Sequence, residues 1–140
     1  MTEREESMLT GGCLCGHIRY RFLGPPLLTA VCHCRHCQKQ SGSAFSIVCA
    51  TPSDGYGQSG TTAIFADTGD SGKRVMRHFC PHCGSPIVSL AEAFPGLTII
   101  KAGTLDDPDQ IKPTVEAYCD SAWKILPPLE GTQRFSRSNI

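Results

Sequence analysis

Seven of the nine cysteines lie in three short clusters that have the spacing of metal ligands. The clusters are Cys13 with Cys15, Cys32 with Cys34 and Cys37, and Cys80 with Cys83. A closed zinc site holds four ligands in a tetrahedron, whereas a catalytic zinc has three protein ligands and one open position. The four sulfurs of the first and third clusters therefore predict a closed site, and the three sulfurs of the second cluster predict an open one.

A glycine follows each of the two cysteine pairs, Gly16 after Cys15 and Gly84 after Cys83. Glycine adopts positive φ angles at little cost, so the chain can turn back and aim amide N–H groups at the sulfurs. Two alternatives remain open at this point. Cys49, Cys119 or a histidine could complete the second tetrahedron, which would make both sites purely structural, or the thiolates could hold an iron–sulfur cluster.

The five histidines lie among these clusters, but most are not expected to be ligands. In an extended segment the His33 side chain points away from the sulfurs on either side, and His82 is directed outward by its turn. His36 lies between Cys34 and Cys37, where it is either a proton carrier, a fourth ligand or simply solvated. The remaining histidines and cysteines are predicted to be structural. His17 and His78 are assigned to sheet surfaces, and Cys49 and Cys119 to buried thiols.

A zinc ion with three thiolate ligands carries a net charge of −1 and activates water poorly. A thiol that takes the open position is instead held as a thiolate, so the predicted chemistry is that of a sulfur nucleophile. Zinc deaminases need a glutamate two residues after a histidine and a proline before a C-x-x-C pair. Neither pattern occurs in this sequence, which argues against deamination.

The elements that must position these cysteines are predicted to be short strands. Apolar and polar residues alternate over 17–22 and 45–49, and the other candidate strands are bounded by Gly, Pro, Asp or Ser. The predicted strands are 17–22, 45–49, 62–67, 74–79, 87–90, 97–102 and 115–119. Short helical turns are expected at 36–41 and at 106–110, and loops at 52–62 and 67–73. The predicted fold class is therefore all-β, built of small antiparallel sheets with few or no long helices.

Length and charge narrow the class of protein further. The chain has 140 residues, a formal net charge of +0 and no apolar run of membrane-spanning length, so we expect one soluble domain that binds neither nucleic acid nor membrane. Acidic residues in 1–10 are unlike a signal peptide, and the cysteine content then favours metal binding in the cytoplasm. The expected divisions are a flexible segment 1–10, a single domain 11–135 and a frayed tail 136–140, with no indication of oligomeric state.

Four motifs resemble those of the glutathione-dependent formaldehyde-activating enzyme family. They are Gly11-Gly12-Cys13-Leu14-Cys15-Gly16, Cys32-His33-Cys34 with Cys37, Phe79-Cys80-Pro81-His82-Cys83-Gly84, and Ala102-Gly103-Thr104-Leu105-Asp106. The sequence is also similar to the centromere protein V domain. The resemblance implies a β-tent fold with zinc knuckles and two zinc ions per chain. Cys13, Cys15, Cys80 and Cys83 would hold a structural zinc, and Cys32, Cys34 and Cys37 a catalytic zinc.

The resemblance further implies a carbon–sulfur lyase activity of the S-(hydroxymethyl)glutathione synthase type. The expected substrates are a small-molecule thiol similar to glutathione and a small aldehyde, or their adduct. Two other functions remain: a zinc-stabilised module that binds a protein without catalysis, and a redox switch in which oxidation of Cys34 and Cys37 releases zinc.

Overall fold

The computed structural model describes residues 7–138 as two β-sheets joined by turns, one short α-helix and several 3₁₀ turns. The smaller sheet has three antiparallel strands in the order β1-β2-β5. Its strands are β1 (Met8–Gly12), β2 (Arg19–Leu23) and β5 (Tyr56–Ser59). Residues alternate between exposed and buried along β2, as predicted, so that Tyr20 and Phe22 face the core.

The larger sheet has eight strands in the order β11-β10-β3-β4-β9-β8-β7-β6. These strands are β3 (Leu28–Cys32), β4 (Ser46–Pro52), β6 (Ala63–Thr68), β7 (Arg74–Phe79), β8 (Pro86–Ala91), β9 (Leu97–Lys101), β10 (Val115–Ala117) and β11 (Gln133–Arg134). β10 runs parallel to both β3 and β11, and every other pair in the sheet is antiparallel. The all-β fold class is confirmed.

The two faces of the larger sheet have different environments. One face packs against the small sheet in a core that contains Cys49 and Ile100, both fully buried. Because side chains alternate along a strand, the neighbouring Val48 and Ile99 face the other way. They line a cavity on the opposite side of the sheet.

The structure differs from the sequence-based elements in the segment predicted to be a loop, 52–62. That segment forms a 3₁₀ turn, Ser53–Gly55, followed by β5, which pairs with β2 over four residues. The Tyr56 ring stacks on Tyr20 with a 5.7 Å separation of ring centroids. Backbone pairing to an otherwise open sheet edge and this ring contact hold a sequence that has no apolar alternation.

Both ends of the described chain contribute to the hydrogen-bonded structure. β1 begins at Met8, inside the segment expected to be flexible. At the other end, the amides of Tyr118 and Asp120 donate hydrogen bonds to the carbonyls of Arg137 and Ser136. Residues 1–6 and 139–140 of the expected flexible ends lie outside the described part of the chain.

The two predicted helical turns are present. α1 (Arg35–Ser41) follows β3, and a 3₁₀ turn over Pro108–Gln110 begins after Asp107, whose side chain accepts a hydrogen bond from the amide of Asp109. Within residues 7–138, no helix has the length and apolar character needed to cross a membrane.

Candidate metal centres

The structure brings Cys13, Cys15, Cys80 and Cys83 together, with their four sulfurs all within 4.8 Å of one another. The first two residues follow β1, and the other two lie in the turn between β7 and β8. The Cys13 and Cys15 sulfurs are 3.6 Å apart, and those of Cys15 and Cys80 are 3.7 Å apart. A tetrahedron with zinc–sulfur bonds of about 2.3 Å has edges of roughly 3.8 Å. The donor set therefore fits zinc closely.

The local turns direct backbone amides at these sulfurs. The Ile18 amide donates to the Cys13 sulfur at 3.2 Å, and the His82 amide donates to the Cys80 sulfur at 3.4 Å. Gly16 and Gly84 have φ angles of 85° and 81°, as the sequence predicted for both turns. Amides aimed in this way stabilise thiolates and orient them as ligands.

Cys83 shows the effect of its surroundings on acidity. Its sulfur lies 3.2 Å from the Ser85 hydroxyl oxygen. Hydrogen bonds from the Ser85 hydroxyl and amide lower the pKa of the Cys83 thiol to about 5. At neutral pH this residue is therefore a thiolate, which is the form that binds metal.

The second cluster is formed where β3 meets α1. Cys32 is the last residue of β3, Cys34 is the N-cap of α1, and Cys37 lies in the first turn of that helix. The Cys37 amide donates to the Cys34 sulfur at 3.3 Å. The three sulfurs lie within 4.8 Å of one another, and within residues 7–138 no fourth His, Cys, Asp or Glu belongs to this group.

This three-cysteine cluster opens on a cavity of about 510 Å³. All three cysteines line the cavity, together with side chains from the outer face of the larger sheet. Pockets of roughly 300–1,000 Å³ are typical of small-molecule sites. The cluster is thus accessible to a ligand from one side, as an open metal site requires.

Two buried cations stand beside the cluster. Lys101, at the end of β9, and Arg77, in β7, are 5% and 6% exposed and line the same cavity. The Cys32 and Cys34 thiols, as hydrogen-bond partners, and the charges of Lys101 and Arg77 lower the pKa of Cys37 to about 2 despite burial. Burial lowers the pKa of Lys101, while the Cys37 thiolate opposes that shift.

The positive charges of Arg77 and Lys101 are compensated by different groups. Arg77 donates from Nε to the Asp67 carboxylate at 2.8 Å. The Lys101 amine donates to the Ser46 hydroxyl at 3.1 Å, and among residues 7–138 no carboxylate forms an ion pair with it. The Cys37 thiolate is therefore the counter-charge of Lys101, a relation that spacing in the sequence does not indicate.

The predicted orientations agree with the structure for His33 and His82, whereas His17, predicted on a sheet surface, lies in the bend before β2. His33 points away from the sulfurs and lies 2.8 Å from the Glu116 carboxylate, and the His82 ring packs on His17. His36 is half exposed and lies 2.8 Å from a carboxylate oxygen of Asp67, outside the sulfur cluster. His78, in β7, lies 2.7 Å from the Thr62 hydroxyl.

The two isolated cysteines do not join either cluster. Cys49 is fully buried in the core, with its sulfur 3.7 Å from the Thr29 hydroxyl oxygen. Cys119 is half-buried, and its thiol donates to the Glu116 carbonyl at 3.5 Å. His33, Glu116 and Cys119 form a third compact group, but the Glu116 oxygens are already taken up by hydrogen bonds. We assign this group to structure.

The buried charged residues Lys101, Arg77 and Glu116 were not predicted from the sequence. The strand pattern could have indicated Lys101, since it follows Leu97 and Ile99 on one face of a predicted strand. A lysine on an otherwise apolar strand face is buried only when something nearby balances its charge.

Comparison with known proteins agrees with the fold and the motifs. A sequence model of the glutathione-dependent formaldehyde-activating enzyme family matches residues 8–121. None of the curated protein sequences matches the chain. Among solved structures, a crystal structure of a Rhodobacter sphaeroides protein superposes with a TM-score of 0.58 at 15% identity, covering 74% of this chain and 96% of that one. At this identity the likeness shows a shared fold.

Proposed function

Since the chain belongs to the glutathione-dependent formaldehyde-activating enzyme family, we propose that it is a zinc enzyme of the carbon–sulfur lyase type, acting on a thiol and an aldehyde or on their adduct. The observation that carries this proposal is the three-cysteine cluster, whose sulfurs face a cavity large enough for a small organic molecule. Closed structural zinc sites have no such opening.

Cys32, Cys34 and Cys37 would hold the reactive zinc, which supplies a Lewis acid with one exchangeable position at which a thiol is kept as a thiolate. Cys13, Cys15, Cys80 and Cys83 would hold a second, structural zinc. The proposed content is therefore two zinc ions per chain. The thiol-rich composition is suited to the reducing cytoplasm, where we place the protein.

The reaction joins the thiol sulfur to the carbonyl carbon of the aldehyde. A carbon–sulfur bond forms, the π electron pair of the carbonyl moves to oxygen, and that oxygen takes the proton released by the thiol. Breakdown of the adduct is the same sequence in reverse. The chain contributes mainly by holding both reactants in line within one cavity, which removes much of the entropic cost of their encounter.

Lys101 is placed to act on the charge that develops at oxygen. It is buried, directed to the cavity beside the cysteines and free of a carboxylate partner among residues 7–138. A fixed cation in a water-poor site stabilises a developing oxyanion more than a solvated cation does. If the ammonium group passes its proton to that oxygen, it regains one from the thiol, so the net transfer is still that of the thiol proton.

Zinc content and zinc-edge X-ray absorption test this proposal on protein purified under reducing conditions, with and without glutathione. We expect two zinc ions per chain, with three sulfurs and one light atom at one of them, and a gain of sulfur at that site when thiol is added. Cys37→Ser should reduce the content toward one zinc while the fold remains. Cys49→Ser, which alters a buried thiol outside both clusters, is the matched control and should retain both.

Other outcomes favour the other functions. Two closed four-sulfur sites that ignore added thiol would contradict the enzyme proposal and favour a protein-binding module. Loss of zinc on mild peroxide treatment, reversed by reductant, would favour the redox switch.

A further inference from the structure

The cavity beside the three cysteines is one continuous face of the larger sheet. It is formed by alternate residues of neighbouring strands, so a single set of side chains points into it. In β9 these residues are Leu97, Ile99 and Lys101. Strand pairing places Lys101 opposite Val48 and Ile99 opposite Ala50 in β4. Along β9 the face therefore changes from polar at Lys101 to apolar at Ile99 and Leu97.

The polar end lies at the cysteines. Lys101 and Arg77 are there, and Ser89 of β8 is paired in register with Arg77 on one side and Ile99 on the other. Ser89 is 5% exposed, and its hydroxyl has no hydrogen-bond partner within residues 7–138. A buried hydroxyl without a partner is costly, which indicates that a polar atom of a ligand belongs beside it.

The other end of the cavity is apolar. Its wall consists of Leu28, Val48, Ala50, Val75, Ala91, Phe94, Leu97 and Ile99. Most of these side chains are half-buried, so part of their apolar surface is left facing the cavity. β9 alone extends this wall from Lys101 to Leu97, which is roughly 13 Å at the rise of a strand.

This wall does not match the reactants that the family name suggests. Formaldehyde has one carbon and would leave the apolar surface in water, while the carboxylates and amides of glutathione would be desolvated against it. Charged groups that suit a peptide-like thiol lie instead at the cavity's exposed edge, where Arg137 is ion-paired with Asp70.

We propose that the aldehyde substrate carries an apolar body, an alkyl chain or an aryl ring, which lies along the wall formed by Leu97, Ile99 and Leu28. Its oxygen lies at Ser89 and Lys101, and the thiol reaches the three cysteines from the exposed edge. This inference rests on the proposed function for the reaction, and on the cavity alone for the shape and polarity of the substrate.

Unreactive alcohols test the cavity without depending on catalysis. Ethanol, butanol and hexanol keep the oxygen and the chain of the corresponding aldehydes, and calorimetric titration of the zinc-loaded protein measures their affinities. We expect the affinity to rise by roughly two- to fourfold for each methylene, the range expected for partial to full burial of a CH₂ group. Equal affinities for the three alcohols would overturn the inference.

Variants locate the binding site. Ile99→Ser should weaken hexanol binding about tenfold and ethanol binding by less, because the longer chain covers more of this side chain. Leu28→Ser, on the neighbouring part of the wall, provides a second variant. Ile125→Ser removes an apolar side chain that is 82% exposed and outside the cavity, and it should bind hexanol like the parent. Hexanol binding that survives both wall variants would contradict the assignment.

Turnover separates this inference from the proposed function. With glutathione as the thiol, kcat/KM for hexanal should exceed that for formaldehyde by tenfold or more. A protein that consumes formaldehyde and ignores hexanal would overturn the inference while supporting the enzyme. The protein could instead consume neither aldehyde but bind alcohols more tightly as the chain lengthens, with this dependence lost in Ile99→Ser. That result would contradict the proposed function and support the apolar cavity.

Discussion

Glu116, in the middle of β10, is a buried carboxylate that holds several parts of the chain together. It is 1% exposed, and its oxygens lie 2.8 Å from the His33 ring and from the Arg134 guanidinium. The Thr132 hydroxyl and the Leu129 amide donate to it at 2.7 and 3.1 Å. These donors lie on both sides of β10, so one side chain joins the end of β3 to the C-terminal segment.

Replacing Glu116 with Gln is predicted to lower the free energy of unfolding by roughly 2–4 kcal/mol near neutral pH, since an amide cannot accept from every donor in this buried site. The effect should depend on pH. The Thr132 and His33 side chains, the Leu129 amide and Arg134 overcome burial and lower the pKa of Glu116 from 4.5 to about 2. A carboxyl with a lowered folded-state pKa stabilises the protein above its unfolded pKa, and this stabilisation is lost as pH falls through the folded value.

The measurement is urea unfolding of the parent and Glu116→Gln across acidic pH. The stability difference between them should be full above about pH 5 and shrink as pH falls toward about 2. Glu130→Gln alters an exposed glutamate of the same segment and should match the parent at every pH. A Glu116→Gln difference that stays constant over this range would contradict the assigned role of the charge.

At the scale of elements, α1 must end abruptly so that the chain can return as β4 beside the cysteines. Gly42 provides this end, with a φ of 69° and its amide bonded to the Gln38 carbonyl. Gln38 is itself buried, and its side-chain amide donates to the His33 and Ser121 carbonyls. The contacts of Gly42 and Gln38 therefore hold in place the helix that carries Cys37.

Replacing Gly42 with Ala is predicted to cost roughly 1–2 kcal/mol, because a residue with a Cβ is strained in the left-handed region. Space is not the cause, since a Cβ at Gly42 would meet no atom within 4 Å. Gly55→Ala is the matched control: the space around that glycine is also open, and its φ is not positive. It should change stability by a few tenths of a kcal/mol. Equal stabilities of the two variants in thermal unfolding would refute this account of the helix end.

The elements that the sequence predicted are those in which side chains alone determine the structure. Alternation marked β2 and β4, and turn residues marked Pro108–Gln110. The strand β5 was missed because Tyr56–Ser59 carries no apolar alternation and is held by backbone pairing to the edge of β2. Such pairing depends on where another strand lies, which no local pattern records.

The candidate site also has a part that local sequence patterns predict and a part that they do not. Ligand spacing identified both cysteine clusters, since short-range geometry restricts which sulfurs can converge. The cavity was not predicted, because it depends on register across six strands. Val48 and Lys101 face it together only because β4 and β9 pair with that particular offset. A shift of one residue in this pairing would have left one of the two side chains facing the cavity and turned the other toward the core.

At the scale of the whole molecule, the two cysteine clusters have different relations to the fold. The four-sulfur cluster takes two ligands from the chain after β1, in the small sheet, and two from the β7–β8 turn of the large sheet. A metal bound there links the two sheets. The three-cysteine cluster takes its ligands from one continuous segment, Cys32 to Cys37, and adds no such link.

This difference predicts opposite effects for equivalent substitutions. Cys83→Ser should abolish cooperative thermal unfolding or lower the midpoint by tens of degrees, because binding of a structural zinc adds an apparent free energy on the order of 10 kcal/mol to folding. Cys37→Ser should unfold within a few degrees of the parent and lose only the second zinc. A small domain buries too little surface to stay folded without the metal at the four-sulfur cluster, whereas loss of metal at the three-cysteine cluster leaves both sheets joined. The comparison requires circular dichroism melting with zinc content measured on the same samples. A Cys83→Ser protein that melts like the parent would show that core packing between the sheets, around Phe22 and Ile100, is sufficient without the metal.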